Sequence, residues 1–153
     1  MVSEIENSLD AMDLTILQSL QTDGRMRMSE LAQIVGMSAP SVKDRIRRME
    51  DRGFIRKFTI DLDMRALGYQ LEAIVRIKPR PSNLHLVEKM IVEEQRFTSC
   101  DKVTGDDCFI ARLALKTIQE LDDLLDPFHE KAETNTSIIK SSPIKNRTPL
   151  SRK

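Results

Sequence analysis

The chain has few cysteines, few histidines and no long apolar run, and each shortage excludes a class of protein. Its 153 residues include two cysteines and two histidines. Cys100 and Cys108 are too few for a disulfide framework and fit a reducing compartment. His85 and His129 have no ligand spacing to either cysteine, so no metal site is expected. No stretch approaches the ~18 apolar residues of a membrane helix, so no membrane partner is expected.

Patterns of secretion and of catalysis are missing as well. The acidic N-terminal stretch MVSEIENSLDAMD does not show the basic-then-apolar layout of a secretory signal, so we expect a cytoplasmic protein. No nucleophile stands beside a candidate base, and there is no glycine-rich phosphate-binding loop. We therefore expect no enzyme, no catalytic residues and no cofactor.

The charge of the chain is balanced overall but unevenly distributed. It has 24 basic and 24 acidic residues, so no general positive field indicates nucleic acid. Between positions 43 and 57, however, seven basic residues stand against three acidic ones. A basic charge concentrated on one segment is the pattern expected of a nucleic-acid-binding protein.

Three short helices are predicted in the first sixty residues. Asp10 can cap the first, in LDAMDLTILQSLQTDGR, and Ser29 is the predicted cap of the second, in MSELAQIVG. Gly36 suits the left-handed turn that ends the second helix. Ser38 then caps a third helix, in whose first turn Pro40 is tolerated. Two short helices joined by a tight glycine turn are the layout of a helix-turn-helix.

The third helix has two different faces. Val42, Ile46 and Met49 follow helical spacing and predict a buried stripe. The other face is polar in its first two turns, the part that enters a major groove, and basic further along, where phosphates run. A merely solvated basic helix is the alternative, but the preceding helix and the capped start favour DNA binding. The predicted DNA-binding residues are Ser38, Pro40, Ser41, Lys43, Asp44, Arg45, Arg47, Arg48, Arg52, Arg56 and Lys57.

The stretch GFIRKFTIDLD follows the third helix. Its partly alternating apolar residues predict a pair of strands with Arg56 and Lys57 at the bend. This is the pattern of the wing in a winged helix-turn-helix, where basic residues can contact backbone phosphates.

The second half of the chain alternates strand and helix patterns. The predicted order is a strand at 70–79, a helix at 82–94, a hairpin over 97–116, a helix at 117–131 that Pro127 ends early or kinks, and a strand at 134–140. That order is the ferredoxin-like βαββαβ pattern. The fold class is therefore α+β. The expected organisation is a winged helix-turn-helix domain at 9–62, a linker at 63–69, a βαββαβ domain at 70–142 and a polar tail at 143–153.

Two further expectations concern the predicted sheet. Its outer face carries Ile74 and Ile110 beside Arg76 and Arg112, which is more apolar than solvent requires, so it predicts a dimer interface. The alternative is an ordinary half-wet antiparallel sheet. In the hairpin, pairing Thr104 with Cys108 would place Cys100 near Arg112, too far from Cys108 for a disulfide.

These segments, in their order, resemble the leucine-responsive/asparagine-synthesis regulator (Lrp/AsnC) family of feast/famine regulators. The resemblance runs from about residue 9 to residue 140, through LDAMDLTILQSLQTDGR, SELAQIVGMSAPSVKDRIRRMEDRGFIRKFTIDLD, ALGYQLEAIVRIKP and DKVTGDDCFI. It implies a sequence-specific, nucleoid-associated transcriptional regulator that binds double-stranded DNA. It also implies a C-terminal RAM-type domain that binds an amino acid or related metabolite and drives assembly into homodimers, often rings of dimers.

The stretch VTGDD matches the glycine-acidic loop that lies at the effector pocket of that family. The effector-binding residues that the resemblance implies are Thr104, Gly105, Asp106, Asp107 and Cys108. A glycine-containing turn can donate backbone N–H groups to a carboxylate, and Asp106 or Asp107 can accept from an ammonium group. The alternative is a simple hairpin turn. Many members have an aromatic residue and then Asp at the positions of Asp107 and Cys108, which argues against leucine-like selectivity.

Two other functions stay open at this point. One is a low-specificity architectural protein that wraps DNA, against which a footprint confined to a few promoters would argue. The more remote one is a metabolite-binding protein or an enzyme that uses the ferredoxin-like half. Turnover or tight ligand binding by residues 65–153 alone would support it.

Overall fold

The computed structural model of the chain describes residues 9–146 and 148–149. These residues form two compact units. One unit holds the described residues up to Asp61 together with Asn146, Thr148 and Pro149, and the other is Leu62–Lys145. Among the described residues, no helix combines the length and the apolar character needed to span a lipid bilayer.

The first unit consists of the helices α1 (Ala11–Thr22), α2 (Met28–Val35) and α3 (Ala39–Asp51). Each helix contributes an apolar face to one small core, and the fully buried members include Ile16 of α1, Leu31 of α2 and Val42 of α3. Ile46 and Met49 are also buried, so the predicted stripe of α3 is confirmed. The buried stripe determines which side of α3 faces outward.

The turn between α2 and α3 follows from two residues. Gly36 has φ 66° and ψ 37°, in the left-handed region that glycine enters without a Cβ penalty. The Ser38 hydroxyl accepts from the N–H of Ser41 at 3.3 Å and caps α3, with Pro40 in its first turn. These predictions are confirmed, and with them the helix-turn-helix.

The predicted cap of α2 is wrong. This helix begins at Met28, before Ser29, and the Glu30 carboxylate accepts from the N–H of Arg27 at 3.1 Å. A Ser29 cap would have accepted from an N–H inside the helix, whereas the Glu30 carboxylate reaches back to the N–H of the residue before the helix.

The strand pair predicted over 54–62 is not formed. This stretch is irregular and has no strand partner in the part of the chain that the structure describes. Phe58, Ile60 and Leu62 are 52%, 73% and 54% exposed. The alternation suits a strand, but Arg56 and Lys57 provide neither the glycine nor the asparagine that a tight two-residue hairpin requires.

The second unit is an antiparallel sheet with two helices. Its elements are β1 (Leu71–Pro79), α4 (Leu84–Glu93), β2 (Phe97–Lys102), β3 (Phe109–Leu115), α5 (Gln119–Leu125) and β4 (Ala132–Ile138). The strands lie in the order β2-β3-β1-β4, so the ferredoxin-like prediction is confirmed. A short 3₁₀ turn, Asp126–Phe128, ends α5 where Pro127 was expected to end it.

The strands bury one face of the sheet under the helices. Val75 of β1 and Leu115 of β3 have no exposed surface, and Val87 of α4 and Leu124 of α5 belong to the same core. The other face holds the remaining residues of each strand. There Ile74 pairs with Arg112 and Arg76 pairs with Ile110; the isoleucines are half-buried and the arginines exposed.

The register of the β2–β3 hairpin differs by one residue from the expectation. The N–H of Val103 donates to the Cys108 carbonyl at 2.8 Å, and Cys100 lies opposite Ala111 rather than Arg112. The loop contains four residues, 104–107, because the left-handed conformations of Gly105 and Cys108 close a longer turn than was assumed. Both thiols are free.

Candidate functional site

The outward face of α3 gathers the polar and basic residues that the sequence singled out. The hydroxyls of Ser38 and Ser41 lie 2.8 Å apart at its N-terminal end, and Lys43 and Asp44 are exposed in the next turn. An open groove runs beside the helix, lined by Met37, Ser41, Asp44, Arg45, Arg47, Arg48 and Asp51. Positions three and four apart lie on one face of a helix, which is why this set converges.

Arg47 and Arg48 remain accessible on this face. The Nε of Arg47 lies 4.0 Å from the Asp51 carboxylate, and both side chains are mostly exposed. An exposed ion pair of this kind contributes at most about 1 kcal/mol, so it does not hold the guanidinium away from another anion. Arg48 is exposed one position further along.

The remaining predicted basic residues follow the end of α3. The Arg52 guanidinium lies 5.0 Å from the centre of the Phe54 ring, a cation–π contact. Arg56 and Lys57 are exposed in the irregular stretch and, with Phe58 and Thr59, line a groove against α1. They are not at the bend of a hairpin, as the sequence had suggested.

Arg45 is placed differently from its neighbours. Its Nη1 lies 2.6 Å from an Asp10 oxygen and 2.8 Å from an Asp13 oxygen, and its side chain is 19% exposed. The two aspartates also cap α1, because the N–H of each donates to the other's carboxylate. Sequence reasoning found the cap but missed the contact with Arg45, which depends on α1 crossing the middle of α3.

The protonation of this cluster follows from its contacts. The N–H of Asp13 has the largest effect and lowers the pKa of Asp10. Burial opposes it, and the Arg45 guanidinium lowers the pKa further, so the pKa of Asp10 stays below its ordinary value. The carboxylates of Asp10 and Asp13 raise the pKa of Arg45. Asp10 and Arg45 therefore keep their charges at neutral pH.

The five predicted effector residues are the four residues of the β2–β3 loop and Cys108, which follows it. Thr104, Gly105 and Asp106 are exposed, whereas Asp107 and Cys108 are half-buried. Cys108 has φ 60°, a left-handed conformation that is costly for a non-glycine residue. The loop thus presents exposed backbone together with two carboxylates, the groups suited to an amino acid's two charged ends.

Arg76 is a loop contact that sequence reasoning missed. Its Nε lies 3.8 Å from an Asp107 oxygen, and both side chains are nearly half exposed. The signal was present in the strand order, since β1 pairs with β3 and brings Arg76 opposite Ile110, close to the loop.

Metal-ligating side chains and the Cys100 thiol are the other groups with chemistry of their own. The described residues contain no group of three His, Cys, Asp or Glu side chains that could hold a metal ion. Burial, followed by the charges of Asp101 and Glu88, raises the pKa of the Cys100 thiol, which disfavours the nucleophilic thiolate.

Two family descriptions match this chain. Residues 9–56 match "Winged helix-turn-helix DNA-binding" and residues 72–149 match "Lrp/AsnC ligand binding domain". Among named proteins, the HTH-type transcriptional regulator LrpC of Bacillus subtilis is 27% identical over 131 residues, covering 86% of this chain and 91% of LrpC. The regulator FL11 of Pyrococcus abyssi is 31% identical over 119 residues, covering 78% and 79%.

Solved structures of regulators with the same fold superimpose on this chain. The structure of B. subtilis LrpC superimposes with a TM-score of 0.83 at 26% identity, covering 92% of this chain and 99% of LrpC. A feast or famine regulatory protein of Mycobacterium tuberculosis, complexed with L-methionine, superimposes with a TM-score of 0.81 at 27% identity, covering 94% and 100%.

Proposed function

Because the chain belongs to the Lrp/AsnC family of transcriptional regulators, we propose that it binds specific duplex DNA sequences through α3 and that a small metabolite adjusts this binding. The observation that carries the proposal is the two-sided character of α3. Its apolar stripe is buried in the first unit, and its opposite face carries hydroxyl, carboxylate and guanidinium groups to solvent. A helix held in this way can place its N-terminal turns against base edges.

The polar residues in the first turns are proposed to read bases. Ser41 can donate or accept, Lys43 is a donor suited to guanine, and the Asp44 carboxylate is an acceptor suited to the amino group of cytosine. Ser38 and Pro40 lie at the N-terminal end of α3, where helical N–H groups attract a phosphate. The Asp44 carboxylate has a second effect, because DNA phosphates repel it. A DNA site that offers Asp44 no hydrogen-bond donor is therefore disfavoured.

The basic residues further along are proposed to contact phosphates. Arg47 and Arg48 lie on the same face as the base-reading turns, and Arg52, Arg56 and Lys57 follow the end of the helix. Contacts to phosphate supply affinity and register but little sequence preference. Each such contact adds ~0.9 to the slope of log affinity against log salt concentration.

A duplex-DNA titration over a range of salt concentrations tests this function. The variant in which Lys43, Arg47 and Arg48 are all replaced by alanine should bind more weakly and should reduce the salt slope by roughly two to three. None of the three side chains is buried, so the circular dichroism spectrum and the midpoint of unfolding should stay close to those of the parent.

The matched control removes three exposed basic side chains from the second unit, Lys78, Arg80 and Lys89. It has the same net charge as the α3 variant, so a general electrostatic effect would weaken both variants equally. Unchanged affinity of the α3 variant, or equal losses in the two, would overturn the assignment of the DNA-binding face.

The metabolite is proposed to bind at the β2–β3 loop and to be an amino acid or a close relative. The support is the placement of Asp106 and Asp107 beside exposed loop backbone, with Arg76 3.8 Å from Asp107. The L-methionine complex of the M. tuberculosis relative supports the chemical class of the ligand. A zwitterionic ligand could replace the Arg76–Asp107 ion pair with its own contacts to each side chain. Ligand binding would then act directly on β1, the strand that carries Arg76.

An amino-acid panel tests the effector proposal. DNA affinity and particle mass are measured in parallel with each amino acid, and one of them should shift affinity, mass or both. Asp107→Asn should weaken that response, whereas Asp122→Asn, which neutralises an exposed carboxylate on α5, should leave it unchanged. A panel with no response, or equal effects of the two substitutions, would count against the loop.

The unit of DNA binding is proposed to be a homodimer, with larger rings as the higher assembly. The sheet's open face supports this, because half-buried Ile74 and Ile110 lie there beside exposed arginines. Phe58, Ile60 and Leu62 add exposed apolar surface in a stretch whose backbone has no strand partner among the described residues. A second copy can cover both surfaces, and sedimentation would report it.

The named relatives favour regulation over the other two functions. LrpC and FL11 are transcriptional regulators, which supports neither an architectural protein nor an enzyme for this chain. Since its partner is chromosomal DNA, its proposed place of action is the cytoplasm, at the nucleoid.

A further inference from the structure

The exception among the basic residues of α3 is Arg45. Lys43, Arg47 and Arg48 are exposed, whereas Arg45 is 19% exposed and directs one nitrogen to both Asp10 and Asp13. Asp13 is itself only 13% exposed. The three groups join the first turn of α1 to the middle of α3, the helix proposed to read DNA.

We propose that Arg45 is a positioning residue that fixes how α3 is rotated and presented to DNA, and that it does not contact a phosphate. The inference rests on the proposed DNA-binding function of α3. It assigns the two aspartates a role in DNA binding although both are negatively charged and lie on another helix.

The charge balance of the cluster is the first argument. Arg45 faces two carboxylates at 2.6 Å and 2.8 Å, so a DNA phosphate brought to it would meet a locally negative group rather than a free cation. Arg47 differs, because its single ion pair is long and exposed. Two short charge-assisted hydrogen bonds already occupy its Nη1, so that nitrogen cannot turn to a phosphate without losing them.

The buried Nε of Arg45 is the second argument. Among the described residues it has no hydrogen-bond partner. An atom this deeply buried is out of reach of a phosphate, so the paired contact that an exposed guanidinium makes through its Nε edge is closed to Arg45.

Arg45 lies on α3 between a residue proposed to read bases and a residue proposed to contact phosphate. Ser41 lies one turn before it and Arg48 lies almost one turn after it, and all three line the same open groove. A rotation of α3 about its axis would therefore displace the base-reading and phosphate-contacting side chains together. Fixing the rotation from the capped end of α1 keeps both sets in register.

Two substitutions with equal loss of charge separate positioning from phosphate contact. Arg47→Met should reduce the salt slope by about 0.9. Arg45→Met should leave the slope unchanged. It should weaken binding to the specific duplex about tenfold at every salt concentration, the size of loss expected when one base pair is misread. The preference for the specific over a scrambled duplex should fall with Arg45→Met and persist with Arg47→Met.

Asp13→Asn gives a test whose sign differs between the two explanations. It makes the protein more positive by one charge, so a general electrostatic effect predicts tighter DNA binding. The positioning role predicts weaker binding and lower sequence preference. Glu50→Gln is the matched control, because Glu50 is exposed on α3 and its neutralisation should tighten binding slightly.

All affinities are measured at a temperature at which circular dichroism shows each variant fully folded. Arg45→Lys keeps the charge and one contact, and it should recover part of the sequence preference that Arg45→Met loses. A loss of slope with Arg45→Met would show a phosphate contact, and parental affinity of the folded variant would show a purely structural role; either result overturns the proposal. If Arg45→Met does not fold, the direction of the Asp13→Asn effect decides.

A wild-type protein that binds duplex DNA without salt dependence would instead overturn the proposed function. That failure is distinguishable, since it appears before any variant is made.

Discussion

Replacing Gly36 by alanine should destabilise the helix-turn-helix unit by up to about 1.6 kcal/mol. The turn needs φ 66°, and a left-handed conformation costs an L-residue about 1–2 kcal/mol. A Cβ at this position would meet no atom within 4 Å, so no steric clash adds to that cost. Alanine also restricts the unfolded chain, which returns about 0.4–1 kcal/mol.

Gly24 provides the matched control in the same unit. Its φ is not positive, and an added Cβ would lie 3.7 Å from the Leu20 carbonyl oxygen, an ordinary contact. Gly24→Ala should therefore be neutral or stabilise the protein by up to about 1 kcal/mol. The two substitutions are chemically identical, so opposite signs isolate the backbone conformation.

Urea unfolding followed by the helical circular dichroism signal measures both variants. The midpoint should fall for Gly36→Ala and hold or rise for Gly24→Ala, with unchanged slopes. A loss above about 3 kcal/mol for Gly36→Ala would mean that the turn is crowded, because backbone strain alone does not reach that size. Equal effects at the two positions would refute the left-handed turn.

Three further predictions concern the core, acid stability and thiol reactivity. Leu113→Ala, at a side chain 1% exposed, should cost about 2–5 kcal/mol in urea unfolding, and a loss below 1 kcal/mol would contradict the described core. In the second unit, Arg96 donates to both oxygens of Glu94 at 2.9 Å and 2.8 Å and so lowers the pKa of that carboxyl. The lowered pKa values of Asp10 and Glu94 give stability that is present above their unfolded values, about 4, and is lost as pH falls through the folded values; acid unfolding of Asp10→Asn and Glu94→Gln should show a weaker pH dependence. With Cys108 changed to serine, Cys100 should react with iodoacetamide more slowly in the folded protein than after unfolding, since partial burial and the charges of Asp101 and Glu88 raise the pKa of this exposed residue.

The first unit could be predicted from sequence wherever local chemistry determines structure. Gly36, Ser38 and Pro40 each perform a task that depends on their own backbone or side chain, and the apolar spacing of α3 needs only the pitch of a helix. The cap of α2 was missed because the sequence offers both a serine and a glutamate as capping groups, and each would bind a different N–H group. Which of the two side chains caps α2 depends on where the helix starts, and it starts at Met28, one residue before Ser29.

Features that depend on how a loop or turn joins two strands were less predictable. The strand order and buried faces of the second unit follow from alternation, so β1 and β3 were assigned correctly. The β2–β3 register was not, because it depends on how many residues the loop takes and hence on left-handed backbone at Gly105 and Cys108. Alternation also suggested a hairpin over 54–62, where the turn residues do not allow one.

At the candidate site, residue types were predictable and their partners were not. A basic residue on α3 reads the same in sequence whether it faces solvent or a carboxylate. Arg45 lies beside the start of α1, whereas Arg47 faces solvent, and nothing in the neighbouring sequence distinguishes the two. Arg76 reaches Asp107 only through the pairing of β1 with β3. Such pairings come from tertiary packing, which a single sequence does not specify.

The irregular stretch at 54–62 also provides a built-in reporter of assembly. The N–H groups of Phe54 and Ile55 donate to the Met49 carbonyl, but the backbone of 56–62 has no strand partner within the described part of a single chain. The amide hydrogens of 56–62 should therefore exchange with deuterium within seconds in the free chain. Burial of Phe58, Ile60 and Leu62 against a second copy would slow that exchange. Peptide-level exchange over this stretch, followed against protein concentration, would therefore measure self-association without a label.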